Sequence, residues 1–349
     1  MPTMLDIAVK AGVSRSTVSF VLNDKHSQMG VNEETRRRVL RVADEMGYRR
    51  NGIARAIATG KMPVFAYLVQ GDCFDTEVSA RVMYGIIEEA DTCHHTVQVL
   101  RLSQDNHEEV IQRCVELRPA GVIGLYVAVD ILPHLQCEMS RLSIPVAMLD
   151  STPAPPGSSH ILSDDIQGCL QAITHLTSLG HRRIAFIGGL TDTVASLLRE
   201  EGYRRAMADR GLEIPHGYLE RGYWQIEPTE AATRRLFRDH PYPPTALFCA
   251  DDKTAMVACR ILREFGLRVP EDVSVVGYAG LVMAEYNDPP LTTIAQPFRE
   301  MGQAAVRRLL AMSGGSKEKN EKGESPESCF DEWMPTRLLL RRSTAPVKE

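Results

Sequence analysis

A chain of 349 residues is too long for one compact core and long enough for two or three. Its hydrophobic fraction of 44% and charged fraction of 24% are ordinary for a soluble globular protein. Because no run of eighteen apolar residues occurs, we expect no membrane span. The N-terminal stretch MPTMLDIAVKAGV has no basic region followed by an apolar one, so secretion is not expected either.

The eight cysteines are scattered along the chain, without a CxxC pair or any metal-ligand spacing. Free thiols in a reducing cytosol are the expected state of such residues. The sequence therefore predicts a cytoplasmic protein with no metal site and no cofactor.

The net charge of −5 is distributed unevenly along the chain. Residues 1–62 carry eleven Lys/Arg and six Asp/Glu, a net charge of +5, so the remaining residues carry −10. A basic head on an acidic body suits a polyanionic partner that binds at one end only.

The first sixty residues predict three short helices. Leu5 and Val9 lie on helical spacing, and Gly12 permits a tight turn after them. Ser14 can cap a second helix, and Asn32 a third. A further segment, residues 51–58, is weakly helical and too short to be stable alone.

From about residue 63 the pattern changes to near-continuous apolar runs that alternate with amphipathic helices. The candidate strands are residues 64–70, 96–102, 121–127, 145–150, 183–189, 245–250 and 273–279. Such strands indicate parallel sheets covered on both faces, and two sets of them indicate two doubly wound α/β lobes. Ligands bind outside the carboxyl ends of such strands, so a cleft between the lobes is the expected binding site.

The region near the C-terminus contains one stretch that belongs to no core. Residues 313–329 are polar, charged and rich in glycine and serine, and we expect them to form a loop insertion before a final strand over 334–342.

The segment DIAVKAGVSRSTVSFVLN, residues 6–23, has the spacing of a helix-turn-helix. Its second helix would lie in the major groove, with Arg15 and Ser16 facing base edges and Phe20 one turn later. Short donors suited to phosphate oxygens flank them: Ser14, Thr17, Ser19 and Asn23. The alternative is a three-helix domain that binds protein or has no partner.

These residues resemble the lactose-repressor (LacI/GalR) family of bacterial transcription regulators. The similarity continues through "VNEETRRRVLRVADEMGYRRNGIARAIATGK", "IPVAMLD", "LGHRRIAFIGG", "PPTALFCADDKTAMVACRILREFGLRVPEDVSVVGY" and "PPLTTIAQPFREMGQAAV", up to the closing "RRSTAP". It covers nearly the whole chain in the correct order.

The resemblance implies an N-terminal all-α helix-turn-helix head, residues 1–49, and a hinge helix or linker, residues 50–62. It also implies a periplasmic-binding-protein-like α/β body, residues 63–349, that senses an effector and dimerises. Lobe one would comprise about 63–163 plus 297–330, and lobe two about 164–296 plus 331–349. The hinge would fold only on DNA, with a wedge at Ile57 in the minor groove beside further contacts from Asn51, Ala54 and Arg55.

The same resemblance assigns a set of cleft residues to effector binding: Asp150, Arg199, Asp251, Gln296 and Ala279. Ala279 stands where the family commonly has an acid that takes two hydroxyls of a sugar or nucleoside-like ligand, and Gly280 follows it. The aromatic pair that often walls the first lobe appears here as Val78 and Ser79. A sugar or sugar derivative remains a candidate effector, but a plain hexose is disfavoured.

The head also departs from the family. Phe20 stands where an arginine commonly reads a base, and phenylalanine can only meet a thymine methyl or pack internally. Arg50 replaces the usual proline before the hinge asparagine, and the loop over residues 24–30 is longer than usual. We therefore expect an operator that differs from the family's common sequence.

The sequence thus predicts a sequence-specific transcription regulator, expected to repress, that binds a pseudo-palindromic double-stranded operator as a homodimer under the control of a small-molecule effector. A periplasmic-type solute-binding protein shares the body fold and is the alternative. An enzyme is disfavoured because no GxGxxG, P-loop, GxSxG or metal-ligand spacing occurs, so no catalytic residue is predicted.

Overall fold

The computed structural model describes residues 2–22, 29–48, 61–71, 76–103, 105–150, 158–191, 193–313 and 331–348. The chain forms two compact units, Met1–Thr59 and Gly60–Glu349. No helix within these described ranges is long and apolar enough to cross a membrane.

The first unit contains three described helices, α1 (Met4–Ala11), α2 (Arg15–Leu22) and α3 (Glu33–Glu45). Thr3 and Asp6 form a reciprocal capping box at the start of α1, and Gly12 ends it in the left-handed conformation with φ +64°. Ser14 Oγ accepts from the Thr17 N–H at 3.0 Å and so caps α2. The capping role predicted for Ser14 is confirmed.

Apolar side chains from all three helices share one small core, whose fully buried members include Ile7, Val18, Val21 and Val39. Asn32 caps α3 by accepting from the Thr35 N–H at 2.8 Å, as predicted. The opposite faces of the helices are left to solvent.

The second unit contains two six-stranded sheets. The first has the order β11-β5-β4-β3-β1-β2 and is parallel throughout. The second has the order β12-β10-β9-β8-β6-β7 and is parallel except for β12, which pairs antiparallel with β10. The strands are β1 (Met62–Gln70), β2 (Thr96–Leu102), β3 (Pro119–Leu125), β4 (Val146–Leu149), β5 (Ser159–Ser163), β6 (Ile184–Gly188), β7 (Leu219–Arg221), β8 (Ala246–Cys249), β9 (Ser274–Ala279), β10 (Thr292–Ala295), β11 (Asp331–Met334) and β12 (Arg337–Leu339).

Helices cover both faces of each sheet. They are α4 (Glu77–Thr92), α5 (His107–Leu117), α6 (Leu132–Arg141), α7 (Asp165–Ser178), α8 (Val194–Ala208), α9 (Ile226–Arg234), α10 (Asp252–Glu264) and α11 (Phe298–Ser313). On β1, Phe65 and Tyr67 point to the core under α4 and α11, whereas Ala66 and Leu68 point to the core under α5 and α6. The predicted pair of doubly wound α/β lobes is confirmed.

Helices α4 and α11 pack with their backbones in close approach. A Cβ at Gly85 would overlap the Arg299 carbonyl, and a Cβ at Gly302 would overlap the Val82 carbonyl. Glycine at both positions therefore lets the two helices meet at this crossing.

The C-terminal strand differs from its prediction. We expected one strand over 334–342 within the second lobe, but the chain forms two short strands that belong to different sheets. Residues 331–334 pair with β5 of the first sheet, and residues 337–339 pair with β10 of the second. Pro335 lies between them and has no N–H for a ladder bond, so the strand ends there and the chain passes from one lobe to the other.

Candidate ligand cleft and DNA-reading helix

Polar side chains gather where the strands of both sheets end. Asp150 follows β4, Asp251 comes two residues after the end of β8, and Gln296 follows β10. Because these strands are parallel, their carboxyl ends lie on the ligand-binding edge of each sheet. The second unit therefore has a candidate cleft lined from both lobes.

Arg199 on α8 lies at the centre of this site and is only 4% exposed. Its Nη1 donates to the Ala250 carbonyl at 2.7 Å, and its Nη2 donates to Gln296 Oε1 at 2.9 Å. Its Nε lies 3.3 Å from Asp165 Oδ2, and its guanidinium carbon is 4.1 Å from the centre of the Tyr278 ring. The charge is thus balanced by a carboxylate and an aromatic face.

Gln296 carries this network into the first lobe. Its Nε2 donates to Ser163 Oγ at 2.6 Å and lies 3.4 Å from Asp150 Oδ2. Asp150 also accepts from the Ser163 N–H at 2.9 Å. A continuous chain of hydrogen bonds therefore joins Asp150 of the first lobe to Arg199 of the second.

Two buried carboxyls share one hydroxyl in this network. Ser163 Oγ lies 3.2 Å from both Asp150 Oδ1 and Asp165 Oδ1. Tyr278 donates a second hydroxyl to Asp165 at 2.7 Å. Asp165 thus has a hydroxyl donor and the Arg199 guanidinium to stabilise its charge, whereas no cation of the described residues lies as close to Asp150.

Burial raises the pKa of Asp150 to about 7, and the neighbouring charge of Asp165 adds to the rise. The Ser163 N–H, Arg199 and the Ser163 hydroxyl oppose it. Burial also raises the pKa of Asp165, with Arg199 as the largest opposing influence.

Backbone strain occurs at two of the predicted site residues. Asp150 has φ +46° and Ala279 has φ +105°, both in the region that favours glycine. Ala279 is buried at the end of β9, where its carbonyl accepts from the Gln296 N–H at 3.3 Å. The structure therefore brings Asp150, Arg199, Gln296 and Ala279 into one neighbourhood.

Asp251 has a different place in the structure. Its Oδ1 accepts from the Thr254 N–H at 2.8 Å, which makes it the N-cap of α10. Burial raises its pKa, and Thr254 and Arg199 oppose the rise. As an N-cap, Asp251 commits one carboxylate oxygen to its own helix.

Sequence reasoning missed four cleft residues: Ser163, Asp165, Tyr278 and Trp224. Asp164, between Ser163 and Asp165, caps α7 by accepting from the Gln167 N–H at 3.0 Å. Tyr278 has the pattern of an ordinary strand residue, and its hydroxyl contact is invisible without the fold. The Trp224 ring covers the backbone of Gly189 after β6, and its indole N–H is buried with no acceptor among the described residues.

In the first unit, α2 presents the predicted DNA-reading residues on one side. Arg15 and Ser16 are exposed, while Thr17, Ser19 and Phe20 are half-buried. Val18, Val21 and Leu22 fill the core on the other side, and Phe20 is absent from the described core contacts. Ser14 bonds Thr17 Oγ1 at 2.9 Å in addition to capping the helix. Asn23, Asn51, Ala54, Arg55 and Ile57 lie outside the described residues, as does almost all of the hinge segment 50–62.

Comparison with known proteins agrees with this geometry. Residues 3–51 match the family model "Bacterial regulatory proteins, lacI family", and residues 173–344 match the "Periplasmic binding protein-like domain". The HTH-type transcriptional regulator DegA of Bacillus subtilis (strain 168) is 31% identical over 350 residues, which are 99% of this chain and 98% of that relative. The chain belongs to the LacI family.

Solved structures of this family have the same architecture. A lac repressor dimer bound to operator and the anti-inducer ONPF superposes with a TM-score of 0.75 at 27% identity, covering 99% of each chain. A complex of the transcriptional regulator CelR with cellobiose gives a TM-score of 0.71 at 30% identity, covering 98% of this chain and 100% of that one.

The predicted family, fold and general function are confirmed. A LacI-family member with this head and body is a DNA-binding, effector-regulated transcription repressor. The match of residues 3–51 to the regulatory family favours this function over that of a periplasmic-type solute-binding protein.

Proposed function

We propose that this LacI-family chain binds a pseudo-palindromic operator as a homodimer, represses transcription there, and loses or gains operator affinity when a small molecule enters the inter-lobe cleft. The hydrogen-bonded chain from Asp150 through Gln296 to Arg199 carries the proposal, because it joins the two lobes at their ligand-binding edges. A ligand that inserts into this chain changes which lobe arrangement is favoured.

We assign residues 1–49 to the DNA-binding head, 50–62 to the hinge and 63–349 to the effector-binding body. The DNA-reading residues belong to the head and the hinge. Arg15 and Ser16 are exposed on α2, as contact with base edges requires. Ser14, Thr17, Ser19 and Asn23 would bind phosphates and set the register. Asn51, Ala54, Arg55 and Ile57 would contact the minor groove from the hinge.

The effector would be held by Asp150, Arg199, Asp251 and Gln296, beside Ala279. Arg199 already donates to a backbone carbonyl and to an amide oxygen of the protein. An effector that binds Arg199 must therefore replace one of these acceptors. The buried Trp224 N–H, whose ring lies against Gly189 after β6, is a donor with no acceptor among the described residues. These groups suit a ligand rich in hydroxyl or carbonyl oxygens, such as a sugar derivative.

Ala279 supplies no carboxylate for a pair of hydroxyls, so a plain hexose should bind weakly. Isothermal titration with hexoses, disaccharides, sugar acids and nucleosides tests this assignment. Tight binding of a plain hexose would contradict it, whereas binding of any panel member that Trp224→Phe weakens supports the cleft as the site.

An apolar surface on the second unit suits a second copy of the chain. Tyr84 and Ile87 on α4 are exposed, as are Val282, Met283 and Tyr286 after β9. A dimer is also the assembly named for the lac repressor structure. Tyr84→Asp and Met283→Asp should each shift the protein toward monomer in analytical ultracentrifugation, and Tyr242→Asp, at another exposed tyrosine, should not.

We assign the protein to the cytoplasm, where operator DNA and free thiols coexist, and we assign it no catalytic function. Selection of bound sequences from random duplex DNA tests the proposed function. Recovery of one dyad-symmetric motif supports it, and recovery of no motif contradicts it.

A further inference from the structure

The loop that follows β9 in the second lobe is held by helix α4 of the first lobe. Arg81 Nη1 donates to the Gly280 carbonyl at 3.0 Å. The Val282 N–H lies 3.0 Å from Glu77 Oε1 and 3.1 Å from Glu77 Oε2. Glu77 and Arg81 also face each other across 3.7 Å, one helical turn apart.

The same loop is anchored to its own lobe by its preceding N–H groups. The Leu281 N–H donates to Asp252 Oδ2 at 2.7 Å, and the Gly280 N–H donates to Thr293 Oγ1 at 3.3 Å. Asp252 is fully buried, so this attachment is rigid. Three successive amide groups thus have side-chain acceptors, two from the second lobe and the third from the first.

Chain connectivity does not impose the contact between α4 and this loop. Glu77 and Val282 are 205 residues apart in sequence, and Arg81 and Gly280 are 199 residues apart. The contact nevertheless lies beside the point where the chain passes from β10 of the second lobe to α11 of the first. The Arg81 guanidinium carbon is 5.8 Å from the centre of the Phe298 ring, at the start of α11. A rotation that moves α4 away from this loop has to break these hydrogen bonds.

Both sides of this contact lead directly to exposed apolar side chains. Tyr84 follows Arg81 by three residues on α4, and it is 61% exposed. Val282, whose N–H Glu77 accepts, is 54% exposed, and Met283 beside it is 59% exposed. The angle between the lobes therefore sets how the two halves of the proposed dimer surface are aligned.

We propose that Glu77, Arg81 and the backbone of Gly280–Val282 form a lobe brace that holds the lobes at one angle and aligns Tyr84 with Val282 and Met283 for a second copy of this chain. Glu77 and Arg81 are positioning residues, since they act through the loop they hold. The inference rests on the proposed function and names its regulation: an effector that changes the lobe angle must break the brace, and the dimer surface changes with it.

The two tryptophans of the chain provide a reporter that needs no effector. Trp333 is 49% exposed on β11, so Trp333→Phe leaves Trp224 as the sole tryptophan, whose emission can be excited apart from that of the tyrosines. Opening of the cleft exposes its indole ring to acrylamide. The test compares Glu77→Ala/Arg81→Ala with the parent in this background by acrylamide quenching and by the dimer dissociation constant.

The control is Glu109→Ala/Arg113→Ala, which removes an exposed ion pair of the same spacing on α5. We expect the brace variant to melt within about 4 °C of the parent. Acrylamide quenching of Trp224 should rise in the brace variant. Its dimer dissociation constant should increase about tenfold, that is ~1.4 kcal/mol. Arg81→Lys, which keeps the charge and a donor, should recover part of both effects.

Unchanged quenching and unchanged dimer affinity in a folded brace variant would overturn the inference, as would equal changes in the control. Should the double variant fail to fold, Arg81→Met alone removes the bond to Gly280 while its stem still covers Phe298, and the same two measurements decide. Operator binding by the parent is measured in parallel. If the parent protein selects no dyad-symmetric site, the proposed function is contradicted. If the parent binds operator but the brace variant changes neither acrylamide quenching nor the dimer dissociation constant, only the brace is contradicted.

Discussion

Arg199 and Gln296 meet through a hydrogen bond of 2.9 Å between Nη2 and Oε1, and both side chains are buried. The guanidinium comes from the second lobe, and the amide lies at the point where the chain leaves that lobe for α11. The amide nitrogen continues to Ser163 at the end of the first sheet. One glutamine side chain therefore connects the charged centre of one lobe to the strand ends of the other.

Gln296→Leu keeps the volume of this side chain and removes its hydrogen bonds to Arg199, Ser163 and Asp150. Arg199 Nη2 and Ser163 Oγ each lose their bond to it in a buried site, so we expect a loss of about 3 kcal/mol in the free energy of unfolding. Urea denaturation monitored by circular dichroism measures it. Gln112→Leu, which replaces an exposed glutamine paired with Glu116, should change stability by less than about 0.5 kcal/mol. A loss at Gln296 no larger than this control would contradict the network.

Asp252 predicts a specific dependence of stability on pH. Burial raises its pKa from 3.8 to about 7, Asp251 adds to the rise, and Thr293, Leu281 and Arg341 oppose it. A raised pKa means that the folded state binds more protons than the unfolded state between these values. This contribution to stability is therefore greatest at low pH and is lost as pH rises to about 7, by up to ~1.4 kcal/mol per pH unit.

Asp252→Asn removes the titration and keeps a group that can accept from the Leu281 N–H. The unfolding free energy of the variant, measured relative to the parent, should rise from pH 5 to pH 7 and stay level above it. Asp105→Asn, at an exposed carboxylate, provides the control. A difference between Asp252→Asn and the parent that stays constant with pH would show that Asp252 is ionised throughout.

Gly85→Ala tests the close approach of α4 and α11. Alanine is the better helix former by about 1 kcal/mol, so propensity alone predicts stabilisation. The added Cβ would overlap the Arg299 carbonyl, which is backbone and cannot move without separating the helices. We expect net destabilisation of about 2 kcal/mol by thermal or urea unfolding. A variant as stable as the parent would mean that the helices have room to separate.

Phe20 should read an apolar feature of the operator. Phe20 is half-buried but is not among the side chains that pack in the described core of the head, so Phe20→Ala should change the melting temperature little while weakening operator binding by about 1–3 kcal/mol. Each thymine of the selected site is replaced in turn with deoxyuracil, which lacks the methyl group. At one symmetric position this replacement should weaken operator binding by the parent but leave operator binding by Phe20→Ala unchanged. Val18→Ala, in the core, should show the reverse pattern of lost stability.

An operator on which every deoxyuracil substitution is silent would contradict this contact. Electrophoretic mobility shifts at fixed salt provide the measurement, because affinities for DNA can be compared only at one ionic strength.

Much of the fold followed from local sequence patterns. The seven predicted strands are long apolar runs, and their periodicity is visible before folding. The strands that were missed, β5, β7 and β10, are at most five residues long, and β5 contains His160 and two serines. The division of residues 331–339 between two sheets depends on which edge each short strand meets, which no local pattern records.

The family resemblance assigned Asp150 and Asp251 to the candidate site, and each lies just after a strand of its sheet. Asp165 and Tyr278 could not be found in this way, because their hydroxyl-carboxylate contact joins positions 113 residues apart. The contact of Glu77 with Val282 could not be predicted from the sequence either. The Glu77 carboxylate accepts there from a backbone N–H that is 205 residues away in the chain. Side chains that act through backbone groups leave no signature in residue type.

Binding of the intact protein to its selected dyad-symmetric duplex, titrated at several salt concentrations, tests the central claim most directly. We expect a dissociation constant of ~10⁻⁸ M for that site at physiological salt. It should weaken by about 10³-fold between 50 and 200 mM salt, and Arg15→Ala should abolish the preference over random duplex DNA. Equal affinity for the dyad site and for random duplex at every salt concentration would contradict the assignment of this chain as an operator-binding regulator.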